Sequence, residues 1–483
     1  MNVKDFNKSL KYIEKSLNLK NFEIEGINMW PVIRFQLGLS VLSHIDNNKE
    51  NISSFWDRVK KKASVFIFGD YSILNFLFDL LKQNKYSKKD YLFLTDTSSK
   101  RFIYNDNWYD IYIDSLIDNE KYSDNHCHIL ESNQRFLKYR NTVRKTQNIQ
   151  HILISNFIKS IFKSKPKFTN EFISEYKKLL YYYKDSVYVN YIISKNNIAK
   201  EWILLNNLSK YFQKILKKIS PKKIYMIHYN GYDGMALCLA ANKLKINTYD
   251  IQHGVQGAYH PAYNFNAVPF DGYNLLPRNF LVWSKKEKKL IESGFKNTPS
   301  FKVKVYGNIL LNLFKKKSKI SKHYDMLFFT KFKKKINHKI ILISLCWGES
   351  ISSKLIKLIQ ESDSKYFFLI RTHPSTTKKE RIMIKAKLKK LKSNNFDFGE
   401  SNILPIHCLL RNINFHITSV SSVVLEAIEF GVKSLVTSSR GKIYYEKQIN
   451  DGSVFYSNNI KTMIDLIKLN ISESFNSKKY KKL

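Results

Sequence analysis

Cysteine is scarce in this sequence: Cys127, Cys238, Cys346 and Cys408 are the only four in 483 residues. None forms a CxxC or CxxH pair, which argues against a zinc site. The scattered spacing fits a reducing compartment. Cys238 and Cys346 lie in apolar runs and read as small core residues. Acidic residues are also in short supply, 40 Asp+Glu against 81 Lys+Arg, for a formal net charge of +41. Such an excess favours anionic partners such as phosphorylated substrates, phospholipid surfaces or nucleic acid. Lysine, asparagine and isoleucine are all abundant, as an AT-rich genome produces, so only part of the charge is read as functional. There is no RNP-like, zinc-finger or helix-turn-helix signature, so nucleic acid is not an expected partner. No DxD motif is present, and no metal is expected.

Long uninterrupted apolar runs are missing too. The opening stretch MNVKDFNKSLKYIEKSLNL is amphipathic without an apolar h-region and does not read as a signal peptide. The most apolar stretch, 63–81, contains Asp70, Asn75 and Asp79, which excludes a transmembrane helix. It reads as a buried helix, with a membrane-surface helix flanked by Lys60, Lys61, Lys62 and Lys82 as the alternative.

What is present is the composition of a globular chain: 43% hydrophobic and 25% charged residues. At roughly 100–200 residues per domain, the length suggests two or three domains. Residues 1–90 read as mainly helical. Strands are predicted at 91–95 and 111–113, and a helical insertion at about 135–218. From Lys222 the pattern becomes strand, loop, helix, strand, the mark of a parallel sheet. Strands follow at 280–283 and 302–308, with a charged helix at 285–293 between them. The lysine-rich 311–338 segment reads as an interdomain connection crossed by few contacts. In 339–483, strands at 340–346, 366–371, 413–418 and 432–437 alternate with helices at 352–360, 377–391 and 422–430. The expected fold is therefore α/β, with a Rossmann-like domain over 1–310 and a second over 339–483. Two such halves place a cleft between their strand ends.

Ligands of open α/β sheets bind beyond the carboxyl ends of the strands. Four polar groups stand at such positions. Arg371-Thr372-His373-Pro374-Ser375 follows one strand. Pro374 stiffens the turn, His373 can donate to a phosphate oxygen, and Arg371 can neutralise the phosphate or hold the loop. The alternative is a capped strand end with a surface histidine. Thr418-Ser419-Val420-Ser421-Ser422 puts hydroxyls at a helix start, as a phosphate site or a plain N-cap. Glu426, four residues beyond Ser422, can bond a ribose or face solvent, and Gly431 ends that helix. Tyr249-Asp250-Ile251-Gln252-His253-Gly254 brings His253 to a strand end as a general base or a ligand-binding group, the alternative being a histidine that makes only a structural hydrogen bond. Tyr259, His260 and Pro261 follow in the same loop. Tyr232-Asp233-Gly234 offers Asp233 as a base or an N-cap.

The set Ile251-Gln252-His253-Gly254, Tyr306-Gly307-Asn308, His373-Pro374-Ser375 and Ser421-Ser422 with Glu426 and Gly431 resembles bacterial capsule and lipopolysaccharide glycosyltransferases. The resemblance is to the group containing capsular Kdo transferases and polysialyltransferases, and covers about residues 220–440. Teichoic-acid glycerophosphotransferases share parts of it. It implies a GT-B architecture, two Rossmann-like domains facing a central cleft. It also implies transfer of a sugar from a nucleotide-activated donor, a CMP-linked sugar being favoured, onto a growing surface glycan on a lipid carrier. No bound cofactor is implied. Arg371, His373, Pro374, Ser419, Ser421, Ser422 and Glu426 would bind the donor nucleotide. His253 and Asp233 compete as catalytic groups, with Gln252, Gly254, His260 and Asn308 beside them. The related motif holds paired acids, whereas Tyr232-Asp233-Gly234 has one. The expected location is the cytoplasm, peripheral on the anionic inner face of the plasma membrane. The alternative within transferases is a CDP-glycerol or CDP-ribitol polyol-phosphate transferase.

Overall fold

The computed structural model describes residues 3–45, 86–133, 140–161, 163–184, 187–254, 256, 260–316, 318–374, 376–391 and 394–471. The apolar 63–81 stretch, Tyr259 and Ser375 lie outside them. The chain forms two compact units: Met1–Lys100 with Asp110–Asn308, and Arg101–Tyr109 with Ile309–Leu483.

The first unit is built on a seven-stranded sheet. Across it run Lys302–Val305, Asn279–Val282, Asn247–Ile251, Lys223–Met226, Tyr91–Asp96, Cys127–Ser132 and Gln147–Asn148. Every pairing in it is parallel. Numbered by chain position the order is 3-2-1-4-5-6-7, the Rossmann order with one added strand. The inner strands are apolar on both faces, with Leu92, Phe93, Leu94, Ile224 and Met226 all buried, because helices cover each side. The order reverses between Tyr91–Asp96 and Lys223–Met226, where Leu94 pairs with Met226.

The helical insertion lies between the third and fourth strands, as Gln150–Ile161, Asn170–Tyr182, Val187–Ile192 and Lys195–Ile219. The last begins at Ser194, whose side chain accepts from Asn197 N, and ends at Ser220 with φ 53°. It buries Trp202, Leu205, Phe212 and Leu216 against the small residues of Tyr232–Lys243, Ala236, Ala240 and Ala241. Val3–Ser16 and Trp30–Ile45 precede the sheet. Glu14 and Arg34, both buried, pair at 2.7 Å. Arg34 also donates to the carbonyls of Pro261 and Asn264, and Asn266 donates to Glu14 from its backbone (3.1 Å) and side chain (2.6 Å). These helices therefore hold the 260–266 loop. Gly38 is required in that packing, since a Cβ there would meet Pro261 Cβ at 2.3 Å.

The second unit has a six-stranded sheet, in the order Phe396–Asp397, Tyr366–Arg371, Lys339–Ser344, Phe415–Thr418, Ser434–Val436, Val454–Tyr456. All pairings are parallel. By chain position this is 3-2-1-4-5-6, the Rossmann order. The fold is thus α/β with two Rossmann-like domains.

Two expectations are corrected. The strand expected at 111–113 is instead Asn107–Asp110, followed by a helix at Ile113–Glu120. Asp110 Oδ1 accepts from the backbone N–H of Tyr112 and Ile113, both at 2.9 Å, which turns the chain into the helix. Asn107–Asp110 pairs with Lys100–Tyr104 across Asn105 (φ 48°) and Asp106 (φ 61°), the positive angles of a tight hairpin turn. The 311–338 segment, expected as a connection with few contacts, lies in the second unit, most of it in the helices Ile309–Lys315 and Lys319–Phe332. Phe314, Tyr324, Phe328 and Phe332 are buried. Phe102 of the hairpin stacks on Tyr109 at 5.0 Å and meets Tyr324 edge-on at 5.2 Å. Tyr324 also donates to the carbonyl of Ile103.

Candidate functional site

In the first unit the polar residues gather at the ends of Lys223–Met226 and Asn247–Ile251. His228 sits just past the first of these strands at φ 59°, a conformation uncommon for a residue with a Cβ. A side chain at Gly234 would lie 2.6 Å from Tyr229 and 2.8 Å from the His228 carbonyl oxygen. Glycine there lets the helix start close against the turn. The imidazoles of His228 and His253 are 3.8 Å apart between ring centres. Tyr112 donates to the His253 carbonyl at 2.9 Å.

Gln252 has a holding role. Its Oε1 accepts from Trp283 N at 2.6 Å and its Nε2 donates to the Gly254 carbonyl at 2.9 Å. Asp250 is buried beneath the turn, accepting from Tyr263 Oη (2.9 Å) and Tyr229 N (3.2 Å). Burial pushes its carboxyl up to about 7, against the lowering effect of those two bonds. His260 Nδ1 accepts from Ala262 N at 3.2 Å. Burial, and then the charges of Arg34 and His228, push His260 down to about 4, so it is a neutral imidazole. Asp233 is buried in the first turn of Tyr232–Lys243, and its Oδ1 accepts from Gly234 N at 3.0 Å. It is not the N-cap; Gly231 is. Asn308 follows the edge strand Lys302–Val305, two strands across the sheet from Asn247–Ile251, the strand that precedes His253.

The second unit has its own reversal of strand order, between Lys339–Ser344 and Phe415–Thr418. Thr418 Oγ1 donates to the Ser344 carbonyl at 2.7 Å. His416 is buried between Ser344 Oγ (2.7 Å) and Ser434 Oγ (3.0 Å), and burial pushes it down to about 3. The serine loop is held from several sides. Ser438 Oγ donates to the Ser419 carbonyl (2.8 Å) and Tyr445 Oη to the Ser421 carbonyl (2.7 Å). Ser421 Oγ accepts from Val423 N at 3.3 Å, so its hydroxyl proton can serve another acceptor. The Ser419 proton goes to Glu349 Oε2 at 2.9 Å. Ser422 occupies the N-cap position without a side-chain cap bond. Gly431, at φ 73°, stands just past the helix end, as expected.

Glu349, not singled out in the sequence, and Cys346, read there as core, lie beside this loop. Cys346 is only half-buried, its Sγ 3.1 Å from Ser419 Oγ, and its backbone N donates to Glu349 Oε2 at 2.8 Å. Burial, then the Glu349 charge, raise its thiol. The signal was a strand end followed by Trp347-Gly348-Glu349. His228, also not singled out, was likewise a strand-end residue. Arg371 is buried and its Nη1 donates to the carbonyls of Ser401 (2.6 Å) and Leu404. It holds that loop, and burial lowers it to about 10. His373 and Pro374 are half-buried beside it, with Thr376 N donating to the His373 carbonyl at 2.9 Å. The strand carrying His373 is separated from that carrying Ser421 by Lys339–Ser344. Glu426 Oε1 lies 3.8 Å from Nε2 of buried His407. Burial, with Arg371 and Arg101, pushes His407 down to about 3, so this contact is not an ion pair.

The two strand orders define the class: a pair of Rossmann-like domains, each with polar side chains past its strand reversal. No known protein family matches the chain by sequence, and no curated protein does. Solved structures with a similar chain course include UDP-GlcNAc 2-epimerase from Neisseria meningitidis bound to UDP-GlcNAc. It is 15% identical with a TM-score of 0.45, over 78% of this chain and 90% of that one. The Methanocaldococcus jannaschii UDP-GlcNAc 2-epimerase is 14% identical with a TM-score of 0.46, over 80% and 94%. The wall teichoic acid polymerase TagF is 11% identical with a TM-score of 0.45, over 86% and 88%. Among the described residues no helix is long and apolar enough to cross a membrane.

Proposed function

We propose that this chain is a glycosyltransferase moving a sugar from a nucleotide-activated donor onto a growing surface glycan. The observation that carries the reading is the doubling of the Rossmann strand order, with a hydroxyl loop past the reversal of the second sheet and, in the first, a histidine pair past the strand at the reversal and its neighbour. The second unit takes the donor nucleotide. Ser421, Ser422 and His373 are assigned to its phosphate, and Arg371 to holding the loop beneath. Glycosyl transfer with inversion needs a base for the acceptor hydroxyl, and stabilisation of the leaving phosphate. His253 is assigned as the base, positioned by the packed ring of His228 and by Tyr112. Asp233 is the second candidate.

A CMP-linked donor is proposed on the resemblance of the His-Pro and Ser-Ser motifs. The acceptor is proposed to be a glycan on a lipid carrier at an anionic cytoplasmic membrane face, which the +41 charge would attract. The test is product analysis with CMP-, UDP-, GDP- and dTDP-sugars and with CDP-glycerol and CDP-ribitol, in the presence of membrane extract. Glycan elongation from a sugar donor supports the proposal. Elongation from a CDP-polyol alone replaces it with polyol-phosphate transfer, and elongation from none contradicts both.

A further inference from the structure

We infer that the loop 345–350 of the second unit is a nucleoside subsite, where Trp347 stacks on the base and Glu349 accepts from a ribose hydroxyl. The inference rests on the nucleotide reading above and adds two residues to it.

The loop leaves Lys339–Ser344 at the strand reversal, the place where open α/β sheets take ligands. It is a closed turn: Glu349 N donates to the Cys346 carbonyl at 3.1 Å, and Gly348 sits at φ 70°. Trp347 lies at its apex and is 70% exposed. A solvent-facing indole gains nothing for the fold, whereas a flat π face is what a nucleobase stacks on.

Glu349 is fixed, since Oε2 accepts from Cys346 N (2.8 Å) and Ser419 Oγ (2.9 Å). Oε1 is the oxygen assigned to the ribose. A carboxylate repels phosphate but accepts well from a sugar diol. Its presence next to Ser419 therefore puts the nucleoside here and the phosphate further along, toward Ser421. Trp347 is also suited to a membrane interface, but the adjacent carboxylate opposes an anionic surface, and the nucleoside is the assignment made.

The test is calorimetric titration of the full chain with CMP, UMP, GMP and dTMP, then of Trp347→Ala, Trp347→Phe and Glu349→Gln with the best ligand. Ribose 5-phosphate serves as a base-free control. Trp347→Ala is expected to weaken the nucleotide about ten-fold or more and leave ribose 5-phosphate unchanged, with Trp347→Phe recovering most of the affinity. Glu349→Gln is expected to weaken the ribonucleotide more than its 2′-deoxy form. Nucleotide binding that Trp347→Ala leaves untouched overturns the subsite while the nucleotide reading stands. No nucleotide binding by the wild type overturns both. A blue shift in Trp347 fluorescence with anionic vesicles, and none with nucleotide, overturns the subsite in favour of a membrane contact.

Discussion

The imidazole of His253 packs against that of His228 at 3.8 Å between ring centres, where two adjacent strands of the first sheet end. The contact limits how the His253 ring can turn, which a proton acceptor for a bound hydroxyl requires. Replacing His253 by Gln is expected to lower kcat by about 10²–10⁴ while donor binding persists. Single-turnover kinetics beside a donor titration separate the two effects. A similar loss in Asp233→Asn, with His253→Gln active, would give the base role to Asp233.

His373→Ala should weaken nucleotide binding without unfolding the chain. The residue is half-buried at a turn, and the loop beneath is held by Arg371 and Asn402. Losing one hydrogen bond to a charged group costs about 1.5–3 kcal/mol, roughly a ten- to hundred-fold change in affinity. Unchanged affinity removes His373 from the site.

Asp250 gives the stability a pH dependence of definite sign. Its carboxyl titrates near 7 in the fold, against an ordinary value of 3.8. Below the lower value both folded and unfolded states are protonated, and no stability is lost. Between the two values only the unfolded chain ionises, so folded stability falls as pH rises and levels off above about 7. Asp114, raised to about 7 by burial and by Asp110, adds a second contribution of the same sign. Urea unfolding between pH 4 and 8 should therefore show a shallower decline in Asp250→Asn than in the wild type. Parallel curves would contradict the burial argument.

Arg34→Ala should be among the most damaging single changes in the first unit. It leaves Glu14 buried without its cation and frees the carbonyls of Pro261 and Asn264. Breaking a buried pair in this way costs about 3–5 kcal/mol. Chemical denaturation gives the size, and hydrogen exchange should show the 260–266 amides losing protection first. Uniform loss across the unit would deny Arg34 a special hold on that loop.

Much of the second domain was legible because its parallel strands are buried on both faces. Lys339–Ser344 and Tyr366–Arg371 read as unbroken apolar runs, with polar turns between them and the helices. The 311–338 segment hid its helices because lysines surround Phe314, Tyr324, Phe328 and Phe332 and mask their spacing. The hairpin at Asn105-Asp106 was hidden by tertiary context, its aromatic residues packing on a helix some 220 residues later in the chain. The strand-end rule singled out His253, His373 and Ser421, each of which lies just past a strand. It did not single out His228 or Glu349, whose placement depends on a backbone angle in one case and on two hydrogen bonds across the strand reversal in the other.

The central claim is that the second domain holds a donor nucleotide. Its most direct test is thermal stabilisation of the purified chain by CMP-, CDP-, UDP-, GDP- and dTDP-linked donors, their free nucleotides, and an oligonucleotide. A ligand at about 100 times its Kd adds about 2.7 kcal/mol to stability, a readily visible shift in Tm. A clear response to the nucleotides of one base is expected, CMP first among them. A flat response across the nucleotide panel, with stabilisation by the oligonucleotide instead, would contradict it.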